Sequence, residues 1–108
     1  MLYAGATIVI LCGTAHIAIP TRSIVQGFGP ITEEIKKTLL MEWLMEGVFL
    51  IFIGVLVVLV TSLASQTEVS TMIVYRVCAA ALVIMAGISL FTGARTTILP
   101  MKLCSPIF

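Results

Sequence analysis

Charge is scarce in this chain. Of 108 residues, 10% are Asp, Glu, Lys or Arg, and the formal net charge is +1. Soluble domains average roughly 25% charged residues. So little charge cannot cover a water-facing surface. With 60% apolar residues and a mean hydropathy of +1.21, lipid is the expected main solvent. Basic runs are absent, which excludes nucleic-acid binding, because phosphates are met by clustered Lys and Arg. Cysteine is sparse: Cys12, Cys78 and Cys104 form no C-x-x-C pair and are odd in number. A disulfide framework and a structural zinc site are thereby excluded, and each cysteine reads as a small buried apolar residue. No Gly-rich phosphate loop, G-x-S-x-G or H-E-x-x-H occurs. The length leaves room for one membrane domain and no separate soluble one.

What the chain does have is three long apolar stretches. The first, about residues 2–19, holds no Asp, Glu, Lys or Arg and stops before Pro20. A helix of about 20 residues spans the hydrocarbon layer, so this stretch is barely long enough. No Lys or Arg precedes it and no A-x-A site follows, so a retained helix is expected rather than a cleaved signal. Pro20, Gly27, Gly29 and Pro30 then break regular structure in a loop over 20–38. Within that loop Thr32 reads as an N-cap. Glu33 and Glu34 suit a first helical turn, and Glu33 with Lys37 four residues on supports a helix.

The second stretch runs over about 39–64, and its half VFLIFIGVLVVLV is apolar on every side. A short polar connection, SQTEVST, predicts an antiparallel hairpin with the third stretch, about 72–94. Gly47 and Gly54 on the second stretch, and Ala80, Gly87 and Ala94 on the third, recur every seven residues. Small residues let membrane helices approach closely, so both stripes predict packing faces. The tail 95–108, broken by Pro100 and Pro106, is too short to cross a bilayer as a helix. It reads as an interfacial or re-entrant piece, or as the start of a fourth helix.

Basic residues accumulate in cytoplasmic loops. The 20–38 loop holds Arg22, Lys36 and Lys37, the region after the third stretch holds Arg95 and Lys102, and the 65–71 connection holds none. Three spans place the first two regions on one side. The expected topology in a plasma or inner membrane is therefore N-terminus outside and C-terminus cytoplasmic. Arg76 is the exception, and can snorkel to the outer interface toward Glu68.

Ionisable groups inside a membrane cost roughly 2.5–3.5 kcal/mol each on insertion scales and mark candidate sites. Glu42 and Glu46 are four apart, hence on one helical face. His16 lies one turn before Pro20 at the same expected depth, with Arg22 and Arg95 just outside and Trp43 in an interfacial belt. This cluster of His16, Glu42, Glu46, Arg22 and Arg95 admits several chemistries. It can relay protons, because burial favours a neutral carboxyl and imidazole titrates near neutrality. It can bind the head of a quinone or lipid. A metal is disfavoured because the carboxylates already have basic neighbours. The structural alternative is a polar clamp, Glu46 on His16 and Glu42 on Arg22 or Arg95. Thr7, Thr14 and Thr92 can bond to their own backbone, and Met41 and Met45 fill gaps.

Gly13, His16 and Pro20, then Glu42, Trp43, Glu46 and Gly47, then Arg95, Pro100, Lys102 and Cys104 follow one another in a pattern that resembles small four-helix membrane proteins, similar in general plan to the DoxX-like group. The resemblance covers most of the chain. It implies a complete fourth helix, of which the tail holds only part. Some members of that group are linked to quinone-dependent redox chemistry, and no functional residue carries over to this chain. The chain also has the size of small multidrug resistance transporters, but their essential first-helix Glu has no counterpart in the first stretch.

The expected fold is an all-α membrane bundle of three full helices and a partial or interfacial fourth. The first functional expectation is an accessory or assembly subunit, packed into a homo- or hetero-oligomer through its small-residue faces. The second is a homo-oligomeric proton-coupled carrier using Glu46, Glu42 and His16. The third is a DoxX-like quinone- or lipid-binding redox protein. No cofactor is specified by any motif.

Overall fold

A computed structural model describes residues 1–18, 27, 29–64 and 67–91, and all regular structure among them is helical. Helix α1 spans Leu2–Ala18, α2 spans Glu33–Leu63 and α3 spans Val69–Phe91. Residues 92–94 and the tail 95–108, including the expected partial fourth helix, lie outside the described residues.

α2 begins six residues before the boundary expected from hydropathy. Thr32, in an extended conformation, accepts a hydrogen bond from the Ile35 N–H through its hydroxyl at 3.3 Å. Glu33 and Glu34 face the positive end of the helix dipole, and Lys36 donates to Glu33 at 2.6 Å. The expected partner was Lys37. The charged first turns of a long helix thus mimic a loop in composition. At the other end the Ala64 N–H closes the last turn on the Val60 carbonyl at 3.0 Å. α3 likewise starts at Val69 rather than 72, its first turn closed by the Met72 N–H on the Glu68 carbonyl.

α2 has 31 residues and α3 has 23, about 46 and 35 Å at 1.5 Å per residue. Both are long and apolar enough to cross a membrane. α1 has 17 residues, about 26 Å, and falls short of that length. Among the described residues, three helices are present as expected and two of them reach that length.

α1 and α2 pack antiparallel along nearly their whole shared length, and α3 touches α2 over a much smaller area. The α1–α2 seam is made by small residues. A Cβ on Gly13 would lie 2.7 Å from the Gly47 carbonyl oxygen, one on Gly47 3.0 Å from the Gly13 oxygen, and one on Gly54 2.9 Å from the Ala6 oxygen. The two backbones are as close as helices can come. The glycine stripe expected on α2 is a packing face, and its counterpart is Ala6 and Gly13 of α1, seven apart like Gly47 and Gly54. Among the described residues, no helix packs closely on the stripe expected on α3. Ala80 is exposed, Gly87 has nothing within 4 Å of a Cβ, and Ala94 lies outside the described residues. Seven-residue spacing marks a smooth face; it does not name what lies against it.

Hydroxyls in the apolar helices bond back one turn: Thr7 to the Tyr3 carbonyl, Thr14 to Ile10, Thr61 to Val57 and Ser62 to Val58. Thr92 lies outside the described residues. The core is thin. Leu50, 2% exposed, is the largest side chain among the described residues that is enclosed on all sides. Large apolar side chains such as Leu11, Phe52, Leu59, Val77, Val83 and Ile84 stand exposed along all three helices.

Candidate functional site

The last four carbonyls of any α-helix lack an intrahelical donor. At the end of α1 this shortage is written into the sequence. The His16 carbonyl would accept from the N–H of residue 20, and residue 20 is proline, which has none. The donor arrives from α2: the Trp43 indole N–H bonds the His16 carbonyl at 2.7 Å. The same tryptophan lies flat on the His16 imidazole, with ring centroids 3.7 Å apart and planes inclined by 20°. Aromatic ring pairs contribute about 0.5–1.5 kcal/mol beyond their burial. Both residues are 6% exposed. Trp43 is therefore packed inside the helix pair and not on its outer surface. It is the side chain that ties the end of α1 to α2.

Glu46, one turn after Trp43, brings a carboxylate oxygen to 3.2 Å from His16 Nε2. That separation is an ion-pair distance when the imidazole is protonated. The angle is not that of a hydrogen bond, so Nε2, fully enclosed, makes none. The Glu46 side chain is 28% exposed, so it reaches from the enclosed imidazole toward the exterior.

The rest of the expected cluster separates. Glu42 is exposed and makes no ion pair among the described residues, and Arg22 and Arg95, its expected partners, lie outside them. Arg76 is exposed and makes no ion pair with Glu68. No group of three His, Cys, Asp or Glu side chains able to hold a metal converges among the described residues.

No family model, curated protein or solved structure matches the chain. The site must therefore be read from its own geometry.

Two polar links escaped the sequence reading. Tyr3 and Ser62 hydroxyls meet at 3.2 Å between α1 and α2, and Tyr75 and Thr61 hydroxyls meet at 2.8 Å between α3 and α2. Threonine and serine inside an otherwise apolar run were the available signal. The Trp43 contact was legible too, since Pro20 four residues after His16 announces a carbonyl in need of a donor.

Proposed function

We propose that this chain is a multi-pass integral membrane protein in which α1 and α2 form a closed pair and α3 docks on other membrane helices, as a small accessory or assembly subunit. The membrane reading is supported by where the apolar side chains point. A core helix of a soluble protein is equally long and apolar, but it is mostly buried. Here 28% of the apolar window of α2 and 11% of that of α3 are buried, and the remainder would have to face water. The orientation keeps Lys36 and Lys37, at the start of α2, on the cytoplasmic side.

One observation carries the accessory role. The glycine stripe of α2 is consumed by contact with α1, whereas among the described residues nothing packs on the equally spaced stripe of α3: Ala80 is exposed, and half-buried Gly87 has no described atom within 4 Å of an added Cβ. Between membrane helices such a face is where close backbone packing, rather than hydrophobic exclusion, drives association. Native mass spectrometry of the protein extracted in mild detergent tests this. The expected spectrum is a stoichiometric complex with another membrane protein, which Gly87→Leu dissociates while the thermal unfolding of the chain itself stays put. A monomer or a bare homo-oligomer as the sole species overturns the reading.

A second reading rests on the enclosed His16 Nε2, which lies 3.2 Å from the partly exposed Glu46 carboxylate and has no hydrogen-bond partner among the described residues. That pair is the arrangement a proton-coupled carrier needs. Under this reading Glu46→Gln abolishes proton flux into vesicles holding the protein, and unfolding shifts by no more than about 1 kcal/mol. A glutamine variant with no flux to lose, or one that no longer folds, assigns the pair to a structural clamp.

A further inference from the structure

We draw no further inference here: the strongest candidate, the apolar cleft between α1, α2 and α3 lined by Met1, Val9, Ile53, Tyr75 and Leu82, carries nothing because nothing in the structure shows what covers it.

Discussion

Trp43→Ala should destabilise the protein by about 3–5 kcal/mol, the range for removing a large buried aromatic, and should release the end of α1 from α2. Two physical terms add. The first is packing. The ring is 6% exposed and stacked on His16, and the space it leaves has no side chain ready to fill it. The second is the His16 carbonyl. Because Pro20 supplies no N–H, loss of the indole donor leaves this buried acceptor with no donor among the described residues, at a cost of about 1–3 kcal/mol. The terms separate in Trp43→Phe, which keeps most of the ring and loses only the donor; about 1–2 kcal/mol is expected there. Unfolding titrations in mixed detergent micelles, followed by helical circular dichroism, measure both. Equal costs for Phe and Ala would show that packing of the ring contributes nothing. A cost below about 1 kcal/mol for Ala would refute the enclosed position of Trp43 altogether.

Gly13→Ala should also destabilise, against the direction set by helix propensity. In an exposed helix, alanine is better than glycine by about 0.8–1.0 kcal/mol. At residue 13 the new methyl would stand 2.7 Å from the Gly47 carbonyl oxygen and 3.0 Å from the Ile51 nitrogen, both backbone atoms. Backbone cannot rotate away as a side-chain tip can, so the helices must part. Overpacking of this kind costs about 1–3 kcal/mol, which exceeds the propensity gain over most of its range. Gly13→Val adds two further methyls at the same contact and should cost more. Gly87→Ala is the matched control, because no described atom lies within 4 Å of an added Cβ there. It should be neutral or stabilising by up to about 1 kcal/mol. The chain has one tryptophan, and it lies in the α1–α2 contact, so its fluorescence reports the parting directly. A Gly13→Ala protein as stable as the Gly87→Ala protein would mean that α1 and α2 are not in backbone contact.

Much of the candidate site was readable before any coordinates. Glu46 and His16 stood out as ionisable groups in apolar stretches, and their separation of 3.2 Å follows once α1 and α2 run antiparallel with Gly13 opposite Gly47. Glu42 shares a helical face with Glu46 to within the usual 40° step of an i, i+4 pair, yet it is exposed where Glu46 is half-buried. Periodicity assigns two residues to one side of a helix but does not say where the neighbour's edge falls. The burial of Trp43 was not legible for a related reason. Tryptophan is common both at membrane surfaces and in packed contacts, and only the hydrogen bond to the His16 carbonyl decides between them.

By itself the sequence determined the helical architecture, the lengths of α2 and α3 to within a few residues, the N-cap at Thr32 and the apolar character of every face. These follow from local rules: hydropathy, capping chemistry and the lack of charge over long stretches. Tertiary structure alone decided which helices are partners. Two stripes of small residues with the same spacing were visible on α2 and α3, but the close contact formed between α2 and α1, through Ala6 and Gly13. The reason is that in a chain apolar on all sides the pattern of hydrophobicity no longer distinguishes inside from outside. Pairing is then settled by backbone approach and by a few polar bonds between helices, and these are properties of two surfaces brought together rather than of either one.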